Sequence, residues 1–76
     1  MGTDLRHLLA YEVEGARLHA GVAFADLAHR SGIGTNRLAN LLDAKVDFTV
    51  VDLAAIAEVL EVTVTALLPA SAADDG

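Results

Sequence analysis

The chain has no cysteine, no tryptophan, one proline and three aromatic residues in 76. Without cysteine there is neither a disulfide framework nor a thiolate metal site. No apolar run approaches the roughly 18 residues of a membrane span. No charged start, apolar stretch and cleavage site reads as a signal peptide. Bases are also scarce: five Lys and Arg stand against eleven Asp and Glu, for a net charge of −6. That balance excludes a generic polycationic coat for nucleic acid. The expectation is one small domain inside a cell, with an apolar fraction of 54% compensating for its short length.

The charge is unevenly spread. Asp4, Glu12, Glu14 and Asp26 are balanced by Arg6, Arg17, Arg30 and Arg37 up to position 42. Beyond it, Asp43, Asp47, Asp52, Glu58, Glu61, Asp74 and Asp75 face a lone Lys45. The first half can therefore carry a locally positive face while the second keeps the domain soluble.

Apolar residues recur at helical spacing throughout, and no strand-like alternation persists. Thr3 is placed to cap a first helix reaching Ala20, with Leu5, Leu8, Leu9, Val13, Ala16 and Ala20 on its apolar face. Gly21 ends it. A second helix is expected over about 23–30 and a third over about 35–43. Gly32, four residues after Ala28, supplies the left-handed backbone that stops the second. Ile33 plugs the corner. Thr49 and Asp52 have the spacing of a capping box for a fourth helix running to about Glu61. Its expected face is Val50, Leu53, Ile56, Ala57 and Leu60. Thr63 can cap a fifth, bearing Val64, Leu67 and Leu68, which Pro69 stops. The helical domain so read spans residues 3–69, and residues 70–76, ASAADDG, read as a disordered acidic tail.

The stretch 22–45, VAFADLAHRSGIGTNRLANLLDAK, joins two short helices through a tight turn. Its order of residues resembles the lambda-repressor-like (Cro/cI-type) helix-turn-helix family. The resemblance covers about residues 13–68. It rests on Val13, Arg17, Gly21 and Val22, then Leu27-Ala28, Gly32-Ile33 and Leu38, then Leu53, Ile56-Ala57, Leu60, Val62 and Leu67. Departures from the pattern are Ala23-Phe24 where the family has Thr or Ser and then Gln, Leu42 for Glu, Ala44 for Gly and Phe48 for Pro.

The resemblance implies an all-α, compact five-helix domain acting as a sequence-specific DNA-binding regulator, a small bacterial or phage repressor. It implies double-stranded DNA as partner, a homodimer on a two-fold operator, and a place in the cytoplasm, on the nucleoid when bound. Thr35, Asn36, Arg37 and Asn40 match the base-reading positions; Arg can bond guanine bidentately and Asn adenine. Arg17 and Lys45 match positions near phosphates, and Arg30, which with Lys45 flanks the third helix, could pin another. The competing expectation is a protein-interaction module on the same fold, docking through Leu18 and Phe24. Tyr11, Phe48 and Val51 likewise exceed what one small core needs. Two surfaces could pair subunits: the outer side of the first helix, with Leu8, Tyr11 and Leu18, and the C-terminal end, with Leu67, Leu68 and Pro69. The second is preferred, because so short a last helix should not bury both leucines.

No enzyme or cofactor is expected. Ser31 and Ser71 have no His–Asp arrangement around them. No Gly-rich loop follows a strand. His7, His19 and His29 lack the i, i+4 spacing of a helical metal clamp.

Overall fold

A computed structural model describes residues 5–69. Thr3, the expected first cap, and the 70–76 tail lie outside the described residues. Four α-helices follow one another: α1 Leu5–Ala20, α2 Phe24–Ser31, α3 Thr35–Leu42 and α4 Val50–Leu60. The expected fifth helix is instead a single 3-10 turn, Val64–Leu67. Thr63 does cap it, accepting from the Ala66 N–H. With Pro69 two residues on, there is no room for a full α-helical turn to propagate. No described helix is long and apolar enough to cross a membrane.

The core forms where the inner faces of all four helices meet. Leu9 and Val13 of α1, Leu27 and Ala28 of α2, and Leu38 and Leu41 of α3 close around Leu53, Ile56, Ala57 and Leu60 of α4. Leu67 of the 3-10 turn completes the cluster. Val13, Leu27, Leu38, Leu41, Ile56 and Leu67 are wholly enclosed. The expected partnership of Leu27, Ala28, Leu38, Leu53, Ile56 and Leu60 is therefore observed. Phe24 and Phe48 pack against this core as well, so neither is surplus.

Several apolar expectations fail at helix ends. Val50, the first residue of α4, is 78% exposed. Leu5 and Ala20 are exposed too, whereas the exposure of Val51 accords with its being surplus to the core. The C-terminal end shows the reverse. Leu67 and Pro69 are buried and Leu68 is half-buried against the core. A 3-10 turn eclipses residues three apart, so Val64 and Leu67 face inward together. That leaves little apolar surface there for pairing subunits.

The helix stops use a common device with different residues. After α1, the Gly21 N–H donates to the Leu18 carbonyl and the Val22 N–H to that of Arg17. After α3, Ala44 donates to Leu41 and Lys45 to Asn40; after α4, Glu61 donates to Glu58 and Val62 to Ala57. This is the Schellman pattern, which needs a left-handed residue after the helix. Gly21 supplies it freely at φ 73°, whereas Ala44 and Glu61 both adopt φ 61° with a side chain attached. Left-handed backbone costs a non-glycine residue about 1–2 kcal/mol. The domain accepts that cost twice.

Candidate functional site

The α2–α3 pair is set by its turn. α2 ends at Gly32, left-handed at φ 78°, whose N–H donates to the His29 carbonyl. The Gly34 N–H reaches back to the Ala28 carbonyl at 3.1 Å, and the Ile33 N–H donates to Ser31 Oγ at 3.2 Å. Gly34 then starts α3 at φ 92°. A side chain at either glycine would be strained by backbone conformation alone.

α3 buries Leu38 and Leu41 and turns Asn36 and Asn40 outward. Those two are i, i+4 and so share a face one turn apart. Thr35 is exposed at the helix start, and Asp43, at the end of the same outward face, is exposed too. Asp43 went unnoticed in the sequence. Its signal is its position seven residues after Asn36, which returns it to the same side of a helix.

Arg37 has a different setting. At 100° per residue it projects from the flank of α3, beside buried Leu41, rather than from the outer face. Its Nη2 donates to Asp52 Oδ2 at 2.6 Å. Asp52 is itself buried at the start of α4. There its Oδ2 accepts from the Thr49 N–H at 2.9 Å while Thr49 Oγ1 accepts from the Asp52 N–H at 3.0 Å. The capping box read from the sequence is thus complete, and it also holds a guanidinium from α3. Burial pushes the Asp52 carboxyl toward its neutral form. The hydrogen bonds from Arg37 and Thr49 and the Arg37 charge outweigh that and hold its pKa below the ordinary carboxylate value. The Arg37 side chain keeps 44% exposure, so part of its donor fork still faces solvent.

The three phosphate candidates separate. Arg30 and Lys45 are exposed, Arg30 late in α2 and Lys45 just past α3. Arg17 is mostly buried, and its guanidinium forms a two-pronged pair with the Glu14 carboxylate. Its Nη1 also donates to the Val22 carbonyl at 2.9 Å. The Glu14 hydrogen bond favours the charged form and raises its pKa despite partial burial. Arg17 thereby braces the α1–α2 corner. The arginine takes its carboxylate from its own helix, three residues back.

Arg6 was assigned no role from sequence. It reaches Asp47 at 3.4 Å and the Lys45 carbonyl at 3.4 Å, tying α1 to the loop before α4. Among the described residues no cluster of His, Asp or Glu could hold a metal ion.

The two helices of the pair also start alike. Neither Ala23 before α2 nor Gly34 before α3 offers a side-chain cap, in contrast to Thr49 before α4. The first N–H groups of α2 and α3 consequently lack a side-chain acceptor at their caps.

Comparison of the chain with models of known families, with curated proteins and with solved structures gives no match.

Proposed function

We propose that this protein is a lambda-repressor-like helix-turn-helix regulator that lays α3 in the major groove of double-stranded DNA. The observation that carries this reading is the outer face of α3. Asn36 and Asn40 stand exposed one turn apart, directly opposite the buried Leu38 and Leu41, on a helix presented by a tight glycine turn. An asparagine amide pairs with the N6 and N7 edge of adenine, and a threonine hydroxyl with a base edge or a phosphate. Asp43 can accept from the N4 amino group of cytosine, and it repels a phosphate. Arg37 has its reach set by Asp52, so it serves the backbone or a base at the flank of the contact. Arg30, Lys45 and the open N–H groups at the starts of α2 and α3 fit phosphates. Occupying an operator in the bacterial cytoplasm would block transcription.

Selection of bound duplexes from a randomised library, followed by anisotropy titration, tests this. Asn36→Ala and Asn40→Ala should each lose about 1–3 kcal/mol on the selected site, roughly 5- to 150-fold. Their affinity for unrelated duplex should be unchanged. The rival, a protein-interaction module, draws on the net charge of −6 and the exposed Tyr11 and Leu18. Failure to bind any duplex at about 50 mM salt would favour it, since low salt maximises phosphate attraction.

A further inference from the structure

A recess of about 530 Å³ opens between α1 and the chain that follows α4. One wall is the stretch of α1 from Tyr11 to Ala20; the other is Leu60, Glu61 and Val62 with Ala66 of the 3-10 turn. Its volume falls within the roughly 300–1,000 Å³ of small-molecule sites. No residue of α2 or α3 lines it, so it is separate from the face offered to DNA.

The chemistry of the lining is one-sided. Ala16, Leu60, Val62 and Ala66 make much of it apolar. Glu12 and Glu61 add a carboxylate from each wall, and no lysine or arginine lines the recess. Among the described residues neither of these carboxylates enters a hydrogen bond or an ion pair, whereas Glu14 and Asp52 hold Arg17 and Arg37. Tyr11 borders the opening and is 75% exposed. A cation is drawn to the face of such a ring. Gly15, between Tyr11 and His19 on α1, sits in mid-helix, where only proline is less favourable. No turn requires it, and an added Cβ would meet nothing within 4 Å. Packing therefore does not demand glycine there. A longer side chain would lean toward the helix N-terminus, beside Tyr11, and narrow the opening.

We propose that this recess binds a small organic ammonium ion. Its apolar, ring-sized body lies on the alanine, leucine and valine surface, and its nitrogen is held by Glu12 and Glu61 beside the Tyr11 ring. Ammonium N–H groups donate to carboxylates in charge-assisted hydrogen bonds, about twice as strong as neutral ones. An anion would meet repulsion from both walls. A second copy of the chain seated there symmetrically would bring its own Glu12 and Glu61 against these two, so like charge disfavours it.

The test is a titration of the full chain without DNA, at about pH 8 and about 50 mM salt, followed by the methyl NMR signals of alanine, leucine and valine; its outcome is independent of the DNA reading. His19 also borders the recess, and pH 8 lies at the top of the range in which histidine charges. The probes are tryptamine, its uncharged counterpart tryptophol, and ethylamine, which carries the charge without the ring. Tryptamine should shift Ala16, Val62 and Ala66 and leave Ala39 and Val50 in place, with a Kd on the order of 1 mM for about twelve non-hydrogen atoms. Tryptophol and ethylamine should each bind at least fivefold more weakly. Glu12→Gln and Glu61→Gly should each weaken tryptamine at least threefold. Glu61 is left-handed at φ 61°, so glycine there should not lower the melting temperature, which separates lost binding from lost fold. Gly15→Leu should also weaken tryptamine at least threefold with helix content kept, since leucine favours helix. No shift at the recess methyls up to about 10 mM tryptamine overturns the proposal. Equal binding of tryptophol overturns it by showing an apolar recess indifferent to charge. Equal binding of ethylamine overturns it by showing only general attraction to an acidic chain. An affinity unchanged in both carboxylate variants does the same. Shifts at these methyls on raising the chain concentration alone would put a second copy in the recess and likewise overturn it.

Discussion

Asp52→Ala removes one carboxylate and with it three connections: the cap on α4, the tie to Arg37 and the neutralising partner of that guanidinium. Loss of half a capping box costs about 1 kcal/mol, within a range of about 0.5–2. Breaking a fully buried ion pair costs about 3–5 kcal/mol, but Arg37 is 44% exposed and can turn to water, so its share falls to about 1–2. The sum is about 2–3 kcal/mol. In a domain this small each kcal/mol moves the melting temperature by about 4–8 °C, giving a drop of roughly 10–20 °C. Thermal unfolding followed by circular dichroism at pH 7 measures it.

The pH dependence adds a second constraint. The native pKa of Asp52 lies below its unfolded value, so the native state favours the ionised form. Its contribution is complete above the unfolded carboxylate pKa of about 3.9 and is lost as pH falls through the lower native value. The gap in stability between wild type and Asp52→Ala should therefore be constant from pH 5 to 8 and close only in stronger acid. A melting temperature within about 3 °C of wild type, or a gap that shrinks toward neutral pH, would refute the assignment. The same pair complicates any alanine scan of α3, because Arg37→Ala strands a buried carboxylate. A loss of DNA affinity in that variant must be read against its loss of stability, and Arg37→Ala with Asp52→Asn separates the two.

Ala44→Gly should stabilise the fold by about 0.5–1 kcal/mol, the relief of left-handed strain less the extra freedom glycine gains when unfolded; an unchanged or lower melting temperature would count against strain at Ala44. Leu53→Ala should cost about 2–5 kcal/mol, leaving most of so small a domain unfolded; a wild-type denaturation midpoint would contradict its place in the core. With Arg17 engaged by Glu14, Arg30 and Lys45 remain of the three phosphate candidates, so a dimer on DNA should show a log–log salt slope of about −3.5 to −5.5, the steeper end if Arg37 also reaches the backbone. A slope steeper than about −6 would mean that other cations reach the backbone.

Local rules were legible in the sequence. The Thr49–Asp52 spacing specifies a cap because that hydrogen-bond pair closes within four residues, and it is present. Gly32 specifies a stop because only glycine enters left-handed backbone without strain. Helical periodicity likewise marked Leu27, Leu38, Leu53 and Ile56 as core, since residues three and four apart share a face. Only the tertiary structure decided which partner each charged or terminal residue would meet. Arg37 looks like any polar residue of an exposed helix until α4 brings Asp52 within 2.6 Å of it, fifteen residues along the chain. Arg17 has one acid at helical contact distance, Glu14 three residues back, and packing at the α1–α2 corner added the Val22 carbonyl. Ala44 carries no glycine signal, yet the Schellman hydrogen bonds and the packing of α3 hold it left-handed. Val50 and Leu67 sit in equally apolar surroundings in the sequence. One stands in water and the other is enclosed in the core, a difference set by which helices pack around each.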